Sequence, residues 1–327
     1  MSELSVHIYS EISQLPTALM RENIFHSPQL FELTKKTPRH RPYMLTLEDG
    51  EGTVVAQLLG LVRYRSSWLP PYFYMHCHIY GEGSYSAAID SSQHAKLFSM
   101  MLGELTRHLG RGVLYIEVSN LTQKMFGYKE MRQLGYFPVR WMSIHNSLHS
   151  RTPEERLQPR MKQRIDDAYS KGVVTDEVSC EEEFKAFSKL LRHHNWLKPK
   201  RFLPADEFFR GIKSQYGRLF VTKYRNHVIG CSMVTYSQQQ AYLWYSAFRR
   251  KSFAFVHPAE VTIWHAIRDS YERGSKHIFF LDVGLPYRTN HFRDFILRFG
   301  GKPTSTYRWF RCSIGWLNSL LSWFYKD

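Results

Sequence analysis

Four cysteines in 327 residues are too few and too scattered to organise a fold. Cys77, Cys180, Cys231 and Cys312 form no C-x-x-C pair, which argues against a disulfide framework or a cysteine-ligated zinc site and fits a reducing cytosol. Long hydrophobic runs are missing too, none approaching the ~18 residues of a membrane span. Met1 to Glu11 lacks the basic-then-apolar pattern of a secretory signal, so the expected location is the cytoplasm. Acidic residues are short: 29 Asp and Glu face 44 Lys and Arg, for a net charge of +15. What is present is ordinary for a globular chain, with 43% hydrophobic and 22% charged residues, and the length suits two domains.

The basic excess is uneven. Residues 1–149 carry 14 Lys/Arg against 12 Asp/Glu, whereas residues 150–327 carry 30 against 17. A cut near 150 therefore separates a nearly neutral half from a basic one. Such a field is either a solvated surface or an attractor for an anion: a nucleotide, an RNA or an anionic lipid headgroup.

The two halves share one plan. In the first, Ser27–Lys36 reads as a helix, Tyr43–Leu47 and Thr53–Arg63 as strands, about Gln93–Leu109 as a helix, and Val113–Val118 as a strand. The second repeats this order: the helix Glu181–His194, strands Leu219–Tyr224, Val228–Tyr236 and Ala241–Phe248, a helix Pro258–Arg273 stopped by Gly274, and a strand His277–Val283. Gly135 follows Glu117 by 18 residues, and Gly300 follows Asp282 by the same number. A duplicated mixed α/β domain is expected, with boundaries 1–149 and 150–327. Between the halves, Thr152 and Glu155 suit a capping box for a helix ending near Lys171 and Gly172, with Pro159 ending or kinking its first turns.

The string Arg164 to Val173 reads R-x-x-x-A-x-x-x-G-V. His257-Pro258-Ala259-Glu260, Trp264, Ile267, Gly274 and Leu281-Asp282-Val283-Gly284 follow as P…W…I…G…L-D-x-G, then Phe295 and Phe299-Gly300-Gly301. In order and spacing these resemble the Fem-type aminoacyltransferases, two-domain members of the GNAT acyltransferase superfamily. Phe25 to Gln29, followed by Gly52 to Ala56, is similar to the amino-terminal domain of that family. The resemblance implies a tandem duplication of a GNAT-like (acyl-CoA N-acyltransferase) domain, with the acceptor side in residues 1–149 and the donor side in 150–327. It implies acyl or aminoacyl transfer from acyl-CoA or aminoacyl-tRNA to an amine of a cell-envelope (peptidoglycan) precursor or a small molecule, with no tightly bound cofactor. Two departures stand out. Ile296 occupies the place of the family's Lys, and Arg249-x-x-Ser252-x-Ala254 only approximates the pyrophosphate loop R-x-x-G-x-A.

By this resemblance the donor's phosphates belong at Arg249, Arg250, Lys251 and Ser252, where a strand opens into the Pro258 helix; a solvated turn is the alternative. Asp282 ends an apolar strand, where an unpaired carboxylate is costly. It is expected either to orient or deprotonate the amine or to bind an Arg. Tyr287, Arg288, Asn290 and His291 follow on a polar loop, with Tyr287 a second catalytic candidate and Asn290 a donor contact. Arg63, Tyr64, Arg65 and Tyr74 form a basic-aromatic patch suited to the acceptor. Trp244 and Tyr245 read as core. His76 and His78 share a strand face but have no third ligand at metal spacing, so no metal site is expected. In the tail, Trp316, Leu317, Leu320, Leu321 and Phe324 fall on one helical face. Such a helix packs on its own domain, or lies on a membrane surface at the inner face, making residues 313–327 a peripheral contact. A rival of another class is a non-catalytic module that binds RNA or a sugar phosphate.

Overall fold

A computed structural model describes residues 4–68, 71–119, 121, 122, 124–195, 202–281, 283 and 289–325. The chain begins with β1 (Ser5–Tyr9) and α1 (Pro28–Lys36), whose start is set by the Ser27 hydroxyl accepting from Leu30 N at 3.2 Å and by Pro28 in the first turn. Three long strands follow, β2 (His40–Glu48), β3 (Val54–Trp68) and β4 (Pro71–Tyr80), then the short β5 (Ser84–Tyr85). Helix α2 (His94–Leu109) crosses back to β6 (Tyr115–Ser119), and α3 (Tyr128–Gln133) leads to β7 (Phe137–Ser147).

The helix expected after Thr152 is two helices. Residues 157 and 158 are extended, as the residue before a proline prefers, so α4 (Pro153–Arg156) stops and Pro159 opens α5 (Pro159–Ser170). Thr152 makes no side-chain cap bond, and Gly172, at φ +84°, ends α5 as expected. The second half continues with β8 (Val174–Glu177), α6 (Glu181–Asn195), α7 (Asp206–Gln215), β9 (Gly217–Tyr224), β10 (His227–Ser237) and β11 (Gln240–Phe248). Then come α8 (Pro258–Glu272), β12 (His277–Phe280), α9 (His291–Leu297), β13 (Lys302–Cys312) and α10 (Gly315–Phe324). Among the described residues, no helix is long and apolar enough to cross a membrane.

Two compact units result, one of residues 1–141 with 305–327 and one of residues 142–304. This corrects the expected cut at 149/150, and the reason is a strand exchange. In the first unit the strands run β1-β2-β3-β4-β6, antiparallel except for the parallel pair β4–β6. Its last strand is β13, antiparallel to β6 with Trp309 opposite Val118. In the second unit the strands run β8-β9-β10-β11-β12, with β11–β12 parallel, and the last strand is β7, with Ile144 opposite Phe280. Each repeat therefore supplies the final strand of the other. Helix α10 belongs to the first unit, not to the second as its sequence position suggested.

Each core is a helix laid on one sheet face. Leu97, Met101, Leu102 and Leu105 of α2 pack with Leu58, Val62, Ile116 and the fully buried Trp309. In the second unit Ile263, Ala266 and Ile267 of α8 pack with Phe220, Val234, Leu243 and Phe280. Fully burying one such side chain contributes about 1.5–3 kcal/mol. Ile296, where the family has Lys, is fully buried in this second core. Trp244 and Tyr245 are buried as expected.

The repeated glycines mark the same turn. Gly135 (φ +80°) and Gly300 (φ +83°) each follow a short helix and precede a last strand. A Cβ at Gly300 would lie 2.8 Å from the Arg156 carbonyl oxygen, which is backbone and cannot swing away. Gly300→Ala is thus expected to lose about 2–4 kcal/mol from left-handed strain and overpacking together. Gly172→Ala, at a similar φ but with nothing within 4 Å, isolates the strain alone at about 1 kcal/mol. Equal midpoints for the two variants in urea denaturation would refute the steric argument.

Candidate functional site

In the second unit the described part of the parallel pair covers only the first half of β11. Among the described residues, β11 and β12 pair from Gln240–His277 to Leu243–Phe280, and β11 then continues five residues to Phe248 without β12 beside it. In the first unit the corresponding β4 stays paired with β6 through its last residue, Tyr80. A gap between parallel strands beside a helix start is a place where a ligand can reach unpaired backbone.

The chain leaves β11 through the loop 249–257. Arg249 N donates to Ile229 O at 2.8 Å, while the side chains of Arg249, Arg250, Lys251 and Ser252 are exposed. Arg250 alone of these four lines a cavity of about 460 Å³. Its guanidinium lies 4.8 Å from the Phe295 ring centre and 5.4 Å from that of Phe248. Loss of water against these rings holds its pKa below the usual arginine value, and the Glu260 carboxylate pulls the other way. The loop ends at His257, a non-glycine residue in the left-handed region (φ +47°, ψ +52°), held as the residue preceding Pro258 of α8.

Opposite the loop, α5 carries Arg164, whose Nη1 donates to Glu260 Oε1 at 3.1 Å. His257 stands between two carboxylates, Nε2 3.7 Å from Asp167 Oδ2 and Nδ1 4.0 Å from Glu260 Oε1. Arg298, following α9, joins Arg164 in the wall of this cavity and of a neighbouring hollow of about 300 Å³ that also includes Arg160. Among the described residues, neither Arg250 nor Arg298 forms an ion pair, whereas the buried Glu260 is already matched by Arg164. Asp294 also lines the cavity but lies 3.9 Å from Arg293, so Arg250 and Arg298 leave it with spare positive charge, suited to a phosphorylated ligand.

Arg164, His257 and Glu260 were visible as motif letters without a role, and Arg298 carried no signal of its own. Asp282 and Tyr287 lie outside the described residues. Asn290 spends its side chain on the chain itself: its oxygen accepts from Phe292 N and Arg293 N at 3.0 and 3.1 Å, and its amide donates to Val283 O at 2.7 Å. It caps α9.

The patch named in the first half is split by strand alternation. Tyr64 faces Arg41 and Phe73, while Arg63, Arg65 and Tyr74 share the other face. Arg65 lies over the Tyr74 ring at 5.8 Å. Arg63 is buried and donates to His78 Nδ1 at 3.0 Å and to the Tyr80 hydroxyl at 3.2 Å. His78 Nε2 lies 2.6 Å from Ser119 Oγ, and Glu117 accepts from Arg308 at 3.0 Å. This buried polar network shows why Glu117 tolerates its strand position: Arg308 pairs with its carboxylate, and His78 Nε2 lies 3.7 Å away. His76 and His78 are held by this network and by stacking on Tyr115, and among the described residues no cluster could hold a metal.

Residues 159–289, which supply the parallel strands, the loop and the α8 start, match the family model of an acetyltransferase (GNAT) domain. No curated protein matches the sequence. Among solved structures, FemX is similar at 12% identity and a TM-score of 0.61, over 92% of this chain and 94% of that one. L-PGS from Bacillus licheniformis is similar at 10% identity and 0.58, over 92% of each chain. A tandem GNAT protein from the clavulanic acid biosynthesis pathway is similar at 10% identity and 0.55, over 95% and 99%. At such identities the likeness is one of fold. The match to the acetyltransferase (GNAT) domain thus falls on the unit that holds the cavity, and the whole chain shares the fold of these tandem and Fem-type structures.

Proposed function

We propose that the enzyme takes its acyl group from acyl-CoA and passes it to an amine on a cell-envelope precursor, acting in the cytoplasm. The observation that carries the donor is the convergence of Arg164, Arg250 and Arg298 on one cavity at the α8 start, enough charge for the few phosphates of CoA. The thioester then enters the gap between β11 and β12. The amine nitrogen attacks the thioester carbonyl, the tetrahedral oxyanion collapses, the C–S bond breaks and the thiolate leaves. Asp282 is the proposed acceptor of the amine's proton, and Tyr287 the proposed donor to the leaving thiolate. Arg65 and Tyr74 are the proposed acceptor contacts, with Arg63 supporting them from beneath. The choice of an envelope precursor follows the sequence resemblance to the Fem-type aminoacyltransferases.

Aminoacyl-tRNA is the second reading of the donor, favoured by the 17 basic residues between Arg151 and Arg225, all outside the loop in sequence although Arg164 among them lines the cavity. Salt separates the two. A tRNA contacting many phosphates loses affinity steeply as salt rises, whereas CoA held at one cavity loses little. Titration of acetyl-CoA and of charged tRNA from low to physiological salt is expected to give a shallow slope and micromolar binding for acetyl-CoA. Tight, steeply salt-dependent binding of charged tRNA with no acetyl-CoA binding would reverse the assignment. RNA binding without acyl transfer from either donor would instead support a non-catalytic module.

A further inference from the structure

We propose that α10 is an interfacial helix that seats the protein on an anionic membrane surface. The helix is mounted with its polar side toward the protein. Asn318 accepts from Cys312 N at 2.8 Å and donates to Gly135 O at 2.9 Å, and Ser322 accepts from Arg132 at 3.1 Å. Tyr325 stacks on Phe137 at 5.8 Å. These residues fall on one side of a 3.6-residue period. The other side carries Trp316, Leu320, Trp323 and Phe324, at positions i, i+4, i+7 and i+8. Their exposures are 71, 53, 66 and 70%, and α10 contains no buried residue. An ordinary surface helix has the opposite arrangement. Ile314 and Leu114 are also exposed, and Ser313 N donates to Leu114 O just before the helix starts.

The chemistry of the strip points to lipid. Two tryptophans, a phenylalanine and a leucine on a helix with no charged residue suit the boundary between headgroups and acyl chains. At ten residues α10 is far too short to span a bilayer, so it lies in the surface plane. Arg132 and Arg311 both stand beside the helix, Arg311 with its Nε 3.5 Å from the position of a Cβ on Gly135. Cations flanking an apolar strip complement anionic headgroups. The four side chains offer on the order of 500 Å², short of the ~800 Å² per partner of a stable protein interface. A second copy of the chain is therefore the poorer occupant. The inference does not depend on which donor or acceptor the enzyme uses.

The test is flotation of the full chain with vesicles of phosphatidylglycerol and phosphatidylcholine, beside vesicles of phosphatidylcholine alone. The protein is expected to float with the anionic vesicles and to bind the neutral ones roughly tenfold less tightly, as two flanking arginines imply. A variant with Trp316→Ser, Leu320→Ser, Trp323→Ser and Phe324→Ser is expected to lose at least tenfold in affinity, and Trp323→Ser alone to lose an intermediate amount. All four positions are exposed, and circular dichroism with acetyl-CoA binding reports that the variants are folded. No flotation, equal flotation on both vesicle types, or flotation unchanged by the four substitutions would each overturn the proposal. A parent that is dimeric where the variant is monomeric, with no lipid binding, would assign the strip to a second copy instead.

Discussion

Replacing both Arg250 and Arg298 by Ala is expected to weaken acetyl-CoA binding by about 10²–10⁴-fold while leaving the fold standing. Each charge-assisted hydrogen bond to a phosphate is worth about 1.5–3 kcal/mol, and every 1.4 kcal/mol is about tenfold in affinity. Stability is expected to change little, because neither side chain forms an ion pair among the described residues, Arg250 contacts ring faces and Arg298 is exposed. Arg249→Ala with Lys251→Ala supplies the contrast: the same charge is removed from the same stretch of chain, but from side chains that do not line the cavity. That pair is expected to cost only a few-fold through the screened long-range field. Calorimetric titration of all three proteins with acetyl-CoA, beside urea denaturation, measures both quantities. If the loop pair proves as damaging as the cavity pair, the cavity is not where the phosphates sit.

Lowering the pH from 7.5 to 5 is expected to remove roughly 4–6 kcal/mol of stability, through three histidines buried in the first unit. His26 and His76 are held at about 3 by loss of water, with Arg63 and Arg65 adding to the effect at His76. His78 is depressed well below the usual value by burial and then by Arg63 and Arg308. The sign follows from which state takes up protons first. Below about 6.5 the unfolded chain protonates these rings, while the folded chain keeps His26 and His76 neutral until near 3 and holds His78 neutral well below the usual value. Stability is therefore whole above neutrality and falls as the solution is acidified through 6.5. At pH 5 His26 and His76 each contribute a loss of about 2 kcal/mol, with His78 acting in the same direction, a large part of the 5–15 kcal/mol typical of a folded domain. Urea denaturation at pH 7.5, 6 and 5 tests this, with His76→Gln expected to flatten the dependence. A denaturation midpoint constant across that range would mean that these rings are not neutral in the folded state.

The duplication was legible because its markers are local. A glycine forced to positive φ after a short helix, as at Gly135 and Gly300, leaves few substitutes, so the spacing to it persists in plain letters. Apolar runs such as those ending β6 and β12 are equally local. Pairing is not: the partner of β6 is β13, nearly two hundred residues later, and periodicity is silent on partners. Strand β4 was obscured by its opening proline and its mixture of tyrosines and histidines. The same division runs through the site. Arg250 was readable from the loop it occupies, while Arg164 and Arg298 reach the cavity from two other helices and acquire a role only through packing. Helix α10 shows the limit most plainly, since its apolar stripe was legible but its orientation was decided by Asn318 and Ser322.

The exchange of last strands bears on the order in which the chain can be completed. While the protein is being made, β6 of the first unit can pair with β4 as soon as both have emerged, but its other edge waits for β13. At a synthesis rate of about 5–20 residues per second, that edge stays bare for roughly 10–40 s. Trp309 is missing from the first core for the same interval. Neither repeat is thus a finished folding unit in the order of synthesis. The first must persist as an open sheet, with an edge able to take a stray strand, until β13 has been made.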